Sequence, residues 1–229
     1  GKSSLSGNTT GDYNVAVVEN ALANNTTADN NTAVGRRALL ANTTGTENIA
    51  IGSLALDGNT TASSNIAIGY AAIGAANTGV DNIGIGAYSL DANTSGTRSI
   101  AIGKYALSDH TTGSDNNAFG KGALQQCTTG QRNVAMGRDS AQGVTTGTNN
   151  TLIGHVNCNY GVALTTGTNN TIIGSYSRVS TVDGYYAQGL GHDLNCVAGY
   201  TTVGSGASDI RAGNGTATWA TVSDERVKK

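Results

Sequence analysis

The chain has 229 residues and not one proline, where average usage would supply roughly a dozen. Proline has no N–H to give to a sheet ladder, so its absence fits a chain in which nearly every segment hydrogen-bonds to a neighbour. Aromatic residues are scarce at 5%, which excludes a thick globular core. A thin core of Val, Ile, Leu and Ala remains workable if it is repeated lengthwise. Charge is scarce as well: 12% of residues are charged, and 13 cationic against 15 anionic side chains leave a net charge of −2. That balance offers no electrostatic footprint for nucleic acid. No apolar run approaches the roughly 20 residues of a membrane helix, and no signal peptide is visible, so membrane insertion is not expected. The three cysteines, Cys127, Cys158 and Cys196, are far apart and odd in number. They form neither a disulfide framework nor a C-x-x-C zinc motif, and they read as small substitutions at repeat positions. No metal or other cofactor is expected.

Repetition dominates what is there. A phrase of the form N-x-A-x-G starts at Asn14, Asn31, Asn48, Asn65, Asn82, Ser99, Asn116, Asn133 and Asn150, each 17 residues after the last. Extra residues near Asn159–Val162 delay the next copy to Asn170, and a degenerate copy follows at Ala187. Within the unit, Val17, Val34, Ile51, Ile68, Ile85 and Ile102 share one column, and Ile49, Ile66, Ile83 and Ile100 share another two places earlier. Ala16, Ala33, Ala50, Ala67, Gly84 and Ala101 lie between them. Alternation of this kind, carried by β-branched residues, signals a strand. One face carries the large apolar side chains; the other carries Asn, Ala and Gly. The small-residue face is where other chains are expected to approach closely, so Ala67→Leu and Ala101→Leu are expected to disturb assembly.

A glycine column from Gly35 to Gly154 marks a bend. Ala–Leu segments such as Ala38–Leu39 and Ala106–Leu107 follow it, and Asn-Thr-Thr-Gly-like turns such as Asn42–Gly45 close the unit. Two short strands and two turns per unit describe one coil of a solenoid. A helical repeat is disfavoured: such repeats usually exceed 30 residues, and Asn, Thr and Gly are poor helix formers. The expected fold is all-β, a parallel β-roll of 17-residue coils, with residues 17 apart as neighbours. The column Asp81, Arg98, Asp115, Arg132 alternates in sign, as opposite-charge cross-strand pairs prefer.

The phrase N-I-A-I-G-x-x-A-L, as in Asn48–Leu56, resembles the head repeats of trimeric autotransporter adhesins. Those are left-handed parallel β-rolls with three chains to a head, and similar repeats occur in phage tail fibres. The last residues, Ser223-Asp224-Glu225-Arg226-Val227-Lys228, resemble the entry into the intramolecular chaperone of phage tail spikes and endosialidases. In that family the chaperone trimerises the fibre and then cuts itself off. The resemblance implies Ser223 as nucleophile and Lys228 as its base, with Asp224 and Arg226 completing the motif. A serine hydroxyl needs such a base, and a desolvated lysine can serve.

On this reading residues 1–191 are the repeat roll, 192–222 an irregular capping or tip segment, and 223–229 the start of the chaperone. The expected assembly is a homotrimer in a virion tail fibre that attaches to a host cell-surface glycan or protein receptor. A bacterial adhesin head is the alternative, and a glycan depolymerase spike a third reading. Beyond self-cleavage no enzyme activity is expected. Tyr185, Tyr186, Tyr200 and Trp219 either cap the open end of the roll or meet a receptor. Lys104, Lys121 and Arg138 share a column after the glycine, where they either fan into solvent or meet an anionic glycan. Asp57 and Asp91 share a column two coils apart. His155 and His192 share another, and Asp109–His110 has the form of half a triad without a nucleophile signature.

Overall fold

The computed structural model describes residues 1–159, 163–206, 208–215 and, for the backbone alone, 220–221. The described residues contain no helix. Ten three-residue strands recur in phase with the repeat: β1 Val15–Val17, β2 Thr32–Val34, β3 Ile49–Ile51, β4 Ile66–Ile68, β5 Ile83–Ile85, β6 Ile100–Ile102, β7 Asn117–Phe119, β8 Val134–Met136, β9 Thr151–Ile153 and β10 Thr171–Ile173. Beyond them come β11 Arg178–Val179, β12 Gln188–His192, β13 Asn195–Cys196, β14 Tyr200–Ser205, β15 Ser208–Gly213 and β16 Ala220–Thr221. Strands β1 to β10 stack in chain order, and β12, β14, β15 and β16 extend them into one 14-stranded sheet. Pairing is parallel from β1 through β14. Ile66 faces Ile83 and Ile83 faces Ile100, so residues 17 apart are direct neighbours, as the spacing predicts. The charge column confirms the register: Arg98 Nε and Nη2 donate to Asp115 Oδ1 and Oδ2 at 2.8 and 3.1 Å. The capping segment is itself built from strands, since β14 joins the roll in parallel and β15 and β16 fold back antiparallel.

Each coil from β1 to β9 holds one strand where two were expected. The Ala–Leu segment is a chain of bends instead, because Arg37, Leu39, Tyr88 and Leu90 take left-handed φ values of 61°, 53°, 59° and 51°. Alternating left- and right-handed residues cannot pleat. The segment still forms a ladder: Leu39 N–H donates to Ala55 O at 2.9 Å, and Leu56 N–H to Ala72 O at 3.0 Å. That ladder holds a backbone region which costs a non-glycine residue about 1–2 kcal/mol when unsupported. At the glycine column the chain turns sharply. Gly86 has φ +130°, and a Cβ there would stand 2.7 Å from the Gly103 carbonyl carbon.

The two faces of the strand are the reverse of the expected use. Ala33, Ala50, Ala67, Ala101 and Ala118 are fully buried inside the coil, and the flanking Ile51 and Ile102 remain 39% and 37% exposed. Ala67 and Ala101 are therefore core residues and cannot be sites of chain-to-chain approach. The physical reason is width. A 17-residue coil encloses a single layer of side chains, and the Leu column (Leu22, Leu39, Leu56, Leu90, Leu107, Leu124) already fills it from the opposite wall. A Cβ added at Gly84 would meet Ile73 Cγ1 of the preceding coil at 2.9 Å. By the same repeat geometry Ala101 faces Leu90, Ala118 faces Leu107 and Ala135 faces Leu124. Further along, the sizes exchange: Leu152 faces Ala141 and Ile172 faces Cys158, all buried. Large opposes small in each pair, so the interior volume stays constant.

Buried asparagines line the remaining interior. Asn48 Oδ1 accepts the Asn65 N–H at 3.0 Å, and Asn48 Nδ2 donates to Ala62 O at 2.9 Å. Asn65, Asn82, Asn116, Asn133 and Asn150 repeat this pattern. Each side chain satisfies a donor and an acceptor that the narrow coil hides from water.

Candidate functional site

Strand alternation that puts Ala inward puts both of its neighbours outward. The outer face of the sheet therefore has two columns: one apolar throughout from Val17 to Ile173, with Phe119 and Met136 in it, and one of Val and Ile interrupted by Thr32, Asn117, Thr151 and Thr171. Its members at either end, Val15 at 48% and Leu190 at 56%, are the more exposed ones. Nine coil steps from β1 to β10 at about 4.8 Å each give a length of about 43 Å. A continuous apolar stripe on the surface of a single chain marks an interaction face.

The glycine column bounds one side of the stripe, and a corner of aromatic and cationic side chains lies just past it. Tyr70 and Tyr88 meet edge to face with ring centroids 5.3 Å apart, and Tyr88 stacks on Tyr105 at 5.3 Å. The Tyr88 phenol is held above its ordinary value, first by desolvation and then by Tyr70 and Tyr105 beside it. Lys104 Nζ lies 4.8 Å from the Tyr105 ring centre. Of the other two expected cationic residues, Lys121 is exposed without an ion pair among the described residues, and Arg138 Nε pairs with Asp139 at 2.9 Å. The tyrosines were missed in the sequence, although Tyr70, Tyr88 and Tyr105 fall in two adjoining repeat columns. Aligning the coils by glycine would have shown them. Lower on the same corner, Tyr176 stands between His155 and His192, with centroids 5.2 and 5.8 Å away. Among the described residues no group of three or more His, Cys, Asp or Glu could hold a metal ion.

Tyr185 and Tyr186 are both more than half exposed, with rings 5.9 Å apart. Gly199 N–H donates to Tyr185 O at 3.1 Å, so Tyr200 opens β14 beside the pair. The fourth member of that group, Trp219, lies outside the described residues, as do Ser223, Asp224, Arg226 and Lys228. No helix among the described residues is long and apolar enough to cross a membrane.

The remaining candidates have structural partners. Burial raises Asp57, and the Arg37 guanidinium 3.4 Å away opposes that rise. Burial also raises Asp91, aided by the charge of Asp57 across the intervening Gly74. His110 is fully buried in an interior ladder position held elsewhere by Asn25, Asn42 and Asn59. Its Nε2 lies 2.8 Å from Gly113 O and its Nδ1 3.3 Å from Cys127 O, and desolvation lowers its pKa. It is a ladder member with no exposed nitrogen for catalysis. The three cysteines are free and buried, and burial pushes Cys127 and Cys196 up to about 12. Such thiols are unreactive fillers. No family model matches the chain, and no curated protein or solved structure matches it either.

Proposed function

We propose that the chain is part of a homotrimeric, virion-borne tail fibre that attaches the particle to a host surface. The observation that carries the trimer is the stripe of outward Val and Ile along β1 to β10. A partner covering a stripe that repeats at every coil needs the same period, and another copy of this chain has it. Three copies around one axis, parallel and in register, would bury every stripe. The number three comes from the resemblance to adhesin heads and tail fibres. Sedimentation equilibrium tests it: the wild type is expected at three times the 23.0 kDa chain mass. Ile68→Lys with Ile85→Lys is expected to give a monomer with an unchanged β-sheet spectrum. Both side chains flank the inward residue of their strand and point outward, and burying unpaired ammonium groups costs several kcal/mol each. A wild type that sediments as a monomer would overturn the proposal.

Maturation belongs to the same reading. Ser223 and Lys228 stand five residues apart, roughly 16 Å in a regular strand. They meet only through a turn or across subunits, so cleavage would depend on correct trimeric folding and act as an assembly checkpoint. In a chain extended beyond Lys229 through the chaperone, the wild type is expected to split beside Ser223. Ser223→Ala and Lys228→Ala are expected to stay full length by intact mass. Normal splitting of Lys228→Ala would remove Lys228 as the base, and an unsplit wild type would remove the self-cleavage altogether.

A further inference from the structure

The corner beside the stripe combines features that the fold itself does not require. Between Lys2 and Lys228 the chain has two lysines, Lys104 and Lys121, and they occupy the same column in consecutive coils. Arg138 follows in the next coil, so three cations climb the corner one coil at a time. Asp139 pairs with Arg138 at 2.9 Å, but Lys104 and Lys121 have no ion pair among the described residues, and like charges at that spacing repel unless something anionic meets them. The phenols of Tyr70, Tyr88 and Tyr105 continue the row toward β4. A phenol offers an apolar ring together with a hydroxyl that donates and accepts. From the coil of Tyr70 to that of Arg138 the row spans four coil steps, about 19 Å.

We propose that this corner binds a linear acidic polysaccharide laid parallel to the fibre axis. The carboxylates would meet the unpaired Lys104 and Lys121, and the neutral hydroxyls would meet the tyrosines. A pyranose residue in an extended chain advances by about one coil, so successive sugars meet successive side chains without distortion. Single-stranded nucleic acid also combines charge with stacking, but the geometry favours the sugar. Tyr88 and Tyr105 are stacked on each other and leave no gap for a base. The assignment names the ligand class for the attachment role and rests on it.

Titration calorimetry of the assembled protein with a six-residue polyuronate tests it, with sedimentation run in parallel on every sample. Binding is expected for the polyuronate and not for the same oligosaccharide after carboxyl reduction. Lys104→Gln with Lys121→Gln is expected to weaken it at least tenfold, and so is Tyr88→Ala with Tyr105→Ala. Lys121→Arg should keep most of the affinity that Lys121→Gln loses. Tyr185→Ala with Tyr186→Ala should leave binding unchanged. Equal binding of the reduced oligosaccharide, indifference to the lysine pair, or tighter binding of a single-stranded oligonucleotide would each overturn the proposal. No binding by a wild type that sediments as a trimer removes the ligand assignment and leaves the fibre reading standing; a monomeric wild type removes the fibre reading itself.

Discussion

Asn82→Ala is expected to lower stability by about 2–4 kcal/mol, one of the two largest single-residue losses along the roll. Asn82 Oδ1 accepts the Ser99 N–H at 3.0 Å, and Asn82 Nδ2 donates to Gly96 O at 2.8 Å. Asn93 also reaches the Gly96 carbonyl, at 3.1 Å, so that acceptor keeps a partner after the change. The Ser99 N–H has no second acceptor and is buried, which makes it the costly loss. Asn82→Ser should recover part of the deficit. Ser99 stands at the equivalent position one coil on, and its Oγ accepts the Asn116 N–H at 3.3 Å. Guanidinium melts give the magnitude, and amide exchange gives the place: protection should fall first at Ser99 and in the coils on either side. Nearest-neighbour stacking makes a solenoid open where one interface is weakened. Unchanged exchange at Ser99 would show that the side-chain ladder contributes little.

Ala101→Leu is expected to destabilise the roll by about 1–3 kcal/mol, because the coil has no spare volume beside Leu90. Leu90→Ala alone is expected to cost about 2–5 kcal/mol through the cavity it leaves. The double substitution should cost clearly less than the sum of the two. Leu152 opposite Ala141 and Ile172 opposite Cys158 show the same exchange of sizes within this chain. Denaturant melts of the two single variants and the double form a thermodynamic cycle, and residues in contact give coupling energies of about 0.5–3 kcal/mol. Additive losses would mean that the two columns do not face one another. Since both side chains are interior, the oligomeric state should not change, in contrast to substitutions at Ile68 and Ile85.

The 17-residue period by itself determined the parallel register, the lengthwise growth of a thin core and the lack of helix among the described residues. Each coil repeats the same backbone, so equal spacing leaves in-register stacking as the one arrangement that pairs every coil alike. The alternating charges of Arg98 and Asp115 and the glycines at the bend could be read for the same reason. Which face of the strand lies inside could not. Alternation has a period of two and is unchanged when the faces are exchanged, so β-branched residues outward and alanine inward look the same in one dimension as the reverse. The choice was made by the closed coil, whose width admits one layer, with Leu supplied from the Ala–Leu wall. The second strand was lost there too, because left-handed residues such as Leu39 and Leu90 turn the chain at positions a sequence pattern reads as extended. The corner of Tyr70, Tyr88, Tyr105 and Lys104 was likewise a product of stacking. These side chains lie up to 35 residues apart in the chain, and they meet because each coil sets its corner directly upon the last.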